Sequence, residues 1–64
     1  MTRNEWKKEI KKKLIDRDET ITNMADNLGY SRGYVNAVLC GYVNAKNVIT
    51  KINEYVGIGE LPES

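Results

Sequence analysis

Residues 20–41, TITNMADNLGYSRGYVNAVLCG, constrain this chain more than any other stretch. Ile21, Met24, Ala25 and Leu28 recur with the period of an amphipathic helix. Gly29 then interrupts the pattern and supplies the permissive backbone of a tight turn. Ser31 is a competent N-cap, and Val35, Val38 and Leu39 resume the apolar face on a second short helix of about residues 32–40. Gly41 is placed as its C-terminal stop. Ala25 is small where the two helices must cross closely. The stretch therefore reads as helix, turn, helix.

The flanks read as helices too. Trp6, Ile10 and Leu14 recur at i, i+4 and i+8 and predict a helix over about residues 5–17, capped by Thr2 or Asn4, with Ile15 at the edge of the stripe. Polar residues 16–19 break it, and Asp18 tolerates the left-handed backbone of a helix end. Thr20 or Thr22 can cap the next helix. Residues 42–45 form a polar loop. A fourth helix is expected over about residues 46–55, with Val48, Ile49, Ile52, Tyr55 and Val56 inward. Gly57 ends it, and Ile58 can fold back on the core. The expectation is an all-α, compact bundle of four helices, with a short fifth as the alternative. One domain covers residues 1–58, followed by a frayed tail at 59–64 that holds Pro62 and two acids. The expected buried cluster is Trp6, Ile10, Leu14, Met24, Leu28, Val35, Val38, Leu39, Ile49 and Ile52.

Composition narrows the function classes. Cys40 is the only cysteine and there is no histidine, so an internal disulfide and a Cys/His zinc site are both excluded. Cys40 itself reads as a small apolar residue near a helix end. No nucleophile–base pair, metal cluster or phosphate-cradling glycine loop is present, so an enzyme, a cofactor and a small-molecule substrate are not expected. No apolar run reaches transmembrane length and no signal peptide stands at the N-terminus, so no membrane partner is expected and a reducing, cytoplasmic setting fits. The net charge is only +1, but it is unevenly placed. Residues 1–17 hold seven basic against three acidic residues, a balance of +4, while residues 47–64 hold one against three, a balance of −2. A basic half can attract phosphate while the acidic end stays away. The plain alternative for the lysines is a solvated helix face supported by i, i+4 pairs such as Glu9–Lys13 and Lys12–Asp16.

The spacing of residues 20–41 is that of a helix-turn-helix, which sets its second helix in the DNA major groove. On that reading the outward face of the second helix carries the base contacts. Arg32, first after the cap, has the planar fork that pairs with guanine. Gly33 allows close approach, Asn36 offers a donor and an acceptor to adenine, and Ala37 offers a methyl to thymine or simple clearance. Phosphate contacts are expected from Thr20, Thr22 and Asn23 at the first helix's N-terminus, from Ser31 and Tyr34, and from Tyr42, Asn44, Lys46 and Asn47 in the loop beyond. Tyr30 and Tyr34 serve equally well as packing residues. The bland alternative for the whole face is an ordinary wet helix surface.

Residues 10–58 resemble the lambda-repressor and Cro-like helix-turn-helix family, also called the xenobiotic-response-element family. The resemblance rests on Leu14-Ile15-Asp16-Arg17 before Thr20, on Met24-Ala25, on Leu28-Gly29-Tyr30-Ser31-Arg32, and on Val35 and Gly41. Residues 35–41 also follow the pattern that closes the recognition helix of that family. The resemblance implies a bundle of four or five helices and a transcription regulator of repressor type, phage or bacterial. It further implies double-stranded operator DNA as ligand, base contacts from Arg32, Gly33, Ala37 and Asn36, and phosphate contacts from Thr20, Lys46 and the loop. It also implies a homodimer, at least on DNA, on a two-fold operator, although the full fifth helix that often carries the dimer contact is not present. The chain departs from the family pattern at Ile21, where a Gln is usual, at Cys40, where Asn is usual, and at Glu19, where an apolar residue is usual. A competing reading keeps the fold and changes the partner: an adaptor or antirepressor that binds another regulator instead of DNA.

Overall fold

The computed structural model describes residues 1–62. Among them lie four helices and no strand: α1 (Arg3–Asp16), α2 (Ile21–Leu28), α3 (Arg32–Cys40) and α4 (Lys46–Val56).

α1 starts two residues before the position the apolar stripe marks. Thr2 rather than Asn4 is the cap. Its hydroxyl accepts from the Glu5 N–H at 3.2 Å, and the Glu5 carboxylate accepts from the Thr2 N–H at 3.0 Å, a reciprocal box that satisfies two orphan donors. The first turn is polar, so the stripe alone cannot mark it. The Thr2 backbone N–H, and then its hydroxyl, hold the Glu5 carboxyl below its ordinary range. The helix closes at Asp16, and Asp18 takes the left-handed backbone expected of it, with φ 57°.

α2 and α3 are short and sharply bounded. Thr20 caps α2, and Ser31 caps α3 by accepting from the Tyr34 N–H at 3.2 Å. Three residues, 29–31, join them. Gly29 sits at φ 82°, a backbone that an L side chain enters only with strain. α4 begins after Ala45, which offers no side-chain cap, and runs one residue past its expected end, to Val56.

The core sits where the four helices meet. α1 contributes Trp6, Ile10 and Leu14, α2 Met24 and Ala25, α3 Val35, Val38 and Leu39, and α4 Val48, Ile49, Ile52 and Val56. Leu28 corrects the expectation: it is half-buried, packed against the rim of this cluster rather than within it. It is the last residue of α2, and the buried face of that helix is centred one turn earlier on Met24 and Ala25.

Asn53 is the one buried polar residue among those described, and it is fully used. The Trp6 indole N–H donates to its Oδ1 at 2.7 Å, and its Nδ2 donates to the Glu60 carbonyl at 2.9 Å. The second bond corrects the frayed tail. Residues 59–62 turn back over the bundle, and the Glu60 carboxylate lies 3.9 Å from the Met1 amino group. Residues 63–64 of the expected tail lie outside the described residues. A second polar lock joins the α1–α2 corner to α4. Arg17 stands 4.6 Å over the Tyr55 ring, donates to the Tyr55 carbonyl and pairs with Glu19 at 3.1 Å. The Tyr55 hydroxyl donates to the other Glu19 oxygen and accepts from Asn27 at 2.7 Å. No helix among the described residues is long and apolar enough to cross a membrane.

Candidate functional site

The α2–turn–α3 unit presents its outer surface to solvent. With Val35, Val38 and Leu39 buried, the 3.6-residue period turns Gly33 and Ala37 to the opposite side with Asn36 beside them; Gly33 and Asn36 are exposed and Ala37 is half-buried, while Arg32, at the edge of the buried face, is exposed because it stands at the helix end, in the first turn. A Cβ built on Gly33 would meet nothing within 4 Å, so the backbone there is open on its outer side. The face holds no large aliphatic side chain. Tyr34 borders it at 37% exposure, its ring 5.5 Å from that of Tyr30. The Tyr30 hydroxyl is engaged by Lys51 at 3.3 Å, so Tyr30 is a packing residue more than an open polar tip.

Two segments flank this face. At the N-terminus of α2, Thr20, Thr22 and Asn23 are all exposed. Thr20 and Asn23 are largely occupied with each other: the Asn23 N–H donates to the Thr20 hydroxyl at 3.2 Å, and that hydroxyl donates to Asn23 Oδ1 at 2.8 Å. What this end offers a ligand is the first backbone N–H groups of α2, its positive dipole end and the Thr22 hydroxyl. Ser31 is likewise spent as an acceptor but keeps a hydroxyl hydrogen to donate. Beyond α3, Tyr42, Asn44, Lys46 and Asn47 are exposed, Tyr42 at 85%. The loop is not slack: the N–H groups of Tyr42 and Val43 both donate to the Ala37 carbonyl, at 2.9 and 3.3 Å, and half-buried Val43 pins it to the core. Asn44 and Lys46 edge a shallow depression whose other walls are Ile49, Leu61 and Pro62.

The basic half of the sequence divides into two groups. Arg3 donates to the Val38 carbonyl at 3.1 Å, near the C-terminal end of α3. The Lys7 ammonium donates to the Cys40 sulfur at 3.2 Å, which gives that half-buried thiol a polar partner as well as an apolar setting. Both cations meet the negative end of the α3 dipole, where positive charge is favourable. Arg17 is held in the Tyr55 lock. These three position helices, while Lys8, Lys11 and Lys12 stay exposed on α1.

Sequence reasoning missed Asn53, Asn27, Glu19 and Tyr55 as the groups that hold the unit in place. Asn53 left a signal: it follows Ile49 by one turn on a stripe that is otherwise apolar. No group of three His, Cys, Asp or Glu side chains suited to a metal exists among the described residues. No family model, no characterised protein and no solved structure matches the chain.

Proposed function

We propose that this chain is a sequence-specific double-stranded DNA-binding regulator of repressor type, with α2 and α3 acting as a lambda-repressor-like helix-turn-helix. The carrying observation is the start of α3, where Arg32, Gly33 and Asn36 stand exposed on the first two turns while Val35, Val38 and Leu39 are buried. A helix entering the major groove reads bases with those turns. Arg32 pairs with guanine, Asn36 with adenine, and Gly33 and Ala37 leave room for close approach. The α2 N-terminus on one flank and Tyr42, Asn44, Lys46 and Asn47 on the other hold the phosphates that fix the register. The cytoplasm is the setting, in keeping with the single free thiol.

One short recognition helix covers only a few base pairs, so two copies act on a two-fold operator with half-sites about one helical turn apart. Repression then follows from occupancy of the site.

An electrophoretic shift with a pool of random duplex at two salt concentrations, followed by selection of the bound sequences, tests the proposal. Phosphate contacts make affinity fall with salt at a log–log slope of about −0.9 per neutralised phosphate. Lys46→Ala should weaken binding to all sequences alike and flatten the slope by about one. Absent duplex binding, or a slope near zero, favours the adaptor reading. A saturated footprint on a single asymmetric half-site refutes the paired arrangement.

A further inference from the structure

The last turn of α3 borrows its cations. α3 carries no basic residue in its own last turn, although the carbonyls there form the negative end of the helix dipole. α1 supplies two instead, Arg3 and Lys7, one turn apart on a single face. Arg3 is the more firmly fixed of the two. Its Nη1 donates to the Val38 carbonyl at 3.1 Å. Its guanidinium lies 5.5 Å from the ring centre of Trp6, which is wholly buried and tied to Asn53 at 2.7 Å. Its stem lies along Gly41: a Cβ built there would meet Arg3 Cγ at 3.6 Å and Nε at 3.7 Å, ordinary contact distances. One side chain thus touches the anchor of the core, the last turn of α3 and the glycine that ends it.

This grip bears on direction as well as on stability. Val35, Val38 and Leu39 bury one side of α3, but apolar contacts are non-directional and resist small tilts weakly. A hydrogen bond weakens steeply away from its axis and resists them. At about 1.5 Å per residue the nine-residue α3 is about 13 Å long, so a tilt of about 5° about one end moves the other by about 1 Å. A binding constellation has to be held within about 0.5 Å to work. Arg32 and Gly33 stand at the end of α3 opposite the Arg3 bond, where such a tilt is felt most. A flexible side chain such as Lys46 can follow a phosphate through a shift of that size, whereas a two-point pairing with a base edge is lost.

We propose that Arg3 is a positioning residue for base reading: it touches no nucleic acid, and by fixing the last turn of α3 it sets the angle at which Arg32, Gly33 and Asn36 meet the bases. The specificity role rests on the DNA-binding reading, while the grip on α3 is a property of the free chain. Arginine suits the place because the plane that covers Trp6 also carries the donor to Val38. A lysine keeps the charge without the plane.

The test compares the parent with Arg3→Ala and Arg3→Lys. In the free chain, amide exchange is read at Gly41, Tyr42 and Val43, whose N–H groups close the end of α3 on the Val38 and Ala37 carbonyls. Exchange at these three should speed up more than at Ile52 and Asn53 in the core of α4, most in Arg3→Ala, and circular dichroism melts check that both variants are folded. Affinities for a selected duplex and for random duplex are then measured across a salt series. Arg3→Ala should lower the selected affinity about tenfold, as partial loss of a two-point base pairing implies, and the random affinity by less than about twofold, with the parent's salt slope. Arg3→Lys should regain only part of the selected affinity. Equal losses on both duplexes, with a slope flattened by about one, make Arg3 a phosphate contact and overturn the proposal. A lowered melt with both affinities unchanged makes Arg3 merely structural and overturns it too. Full recovery in Arg3→Lys overturns the role of the guanidinium plane. A parent chain that selects no duplex removes the DNA reading and the specificity role with it, yet faster exchange at residues 41–43 in the variants still upholds the grip on α3. Unchanged exchange there overturns the grip itself.

Discussion

The pair α1 and α4 differs from the pair α2 and α3 in how it is held and in what it leaves over. α1 and α4 are 14 and 11 residues long, and between them they contribute seven of the twelve core residues. They are joined by a buried side-chain bond, Trp6 to Asn53, and strapped by the Glu60 carbonyl. α2 and α3 have 8 and 9 residues, too short to persist alone in water. Caps, the left-handed Gly29 and a narrow shared core hold them, together with side chains borrowed from elsewhere: Arg3 and Lys7 on α3, Tyr55 on Asn27. The first pair keeps one polar bond for itself, Trp6 to Asn53, and lends Arg3, Lys7 and Tyr55 across the bundle. The other receives bonds from its neighbours and keeps Arg32, Gly33 and Asn36 free on the outside. A reading surface can stay open because another part of the molecule keeps it rigid.

If this division is real, substitutions in the two regions must separate cleanly. The largest effect is expected from Trp6→Ala. It removes a side chain with no exposed surface and strips Asn53 of its donor. Truncations of buried aromatics cost about 3–5 kcal/mol, a large part of the roughly 5–15 kcal/mol that holds a small domain together. Thermal unfolding followed by circular dichroism should show a midpoint lowered by about 12–40 °C. A melt within a few degrees of the parent would show that the α1–α4 pair is not the anchor.

Asn53→Ala comes next. It leaves the Trp6 indole N–H without its acceptor and the Glu60 carbonyl without its donor. An orphaned buried donor costs about 1–3 kcal/mol. Urea unfolding watched through Trp6 fluorescence should report that loss, and amide exchange should speed up at residues 58–62, whose strap has been cut. Loss of stability with no change in exchange there would mean that the strap is held by something other than Asn53.

Thr20→Ala probes the weaker pair. It removes the α2 cap, a change of about 1 kcal/mol. Thr2→Ala, at the equivalent cap of α1, should cost less than its own box suggests, because α1 is held mainly by burial of Trp6, Ile10 and Leu14. Equal losses by chemical denaturation would erase the contrast between a capped unit and a packed one.

These four sites also mark what the sequence makes legible. The bounds of α2 and α3 stand at Thr20, Gly29, Ser31 and Gly41 because caps and left-handed glycines are local devices, and local devices leave local signals. The start of α1 carries such a device too, the Thr2–Glu5 box, but its polar first turn, Arg3-Asn4-Glu5, falls outside the apolar stripe, so the stripe alone sets the start two residues late. Leu28 has the right period, but periodicity assigns a face and says nothing of how far along that face the core extends. The Glu19–Tyr55 bond joins residues 36 positions apart, so no window of sequence contains it. The same holds for the candidate site. Periodicity places Gly33, Asn36 and Ala37 outward on α3, whereas the exposure of Arg32 at the helix end, and the pairing of Thr20 with Asn23 that leaves the backbone amides as the main offer of that other helix end, follow only from the folded chain. The division of the basic residues into positioning groups and exposed groups is equally a matter of tertiary contact.

Arg32→Ala should have the smallest effect on the fold and the most selective effect on function. Arg32 is exposed and follows the Ser31 cap at the first position of α3. Its removal opens no cavity and breaks no cap, so stability should change by no more than about 0.5 kcal/mol. If Arg32 reads a guanine, affinity for the selected duplex should fall by about 1–3 kcal/mol while random duplex loses far less. The loss should be confined to one base pair per half-site, with preferences elsewhere unchanged. A phosphate contact predicts otherwise: specific and random affinity would fall together and the salt slope would flatten by about one. Measuring both affinities at one salt concentration, beside a melt of the same preparation, separates the outcomes. Equal losses would move Arg32 from the reading face to the phosphate flank, and a shifted melt would place it among the residues that hold the fold.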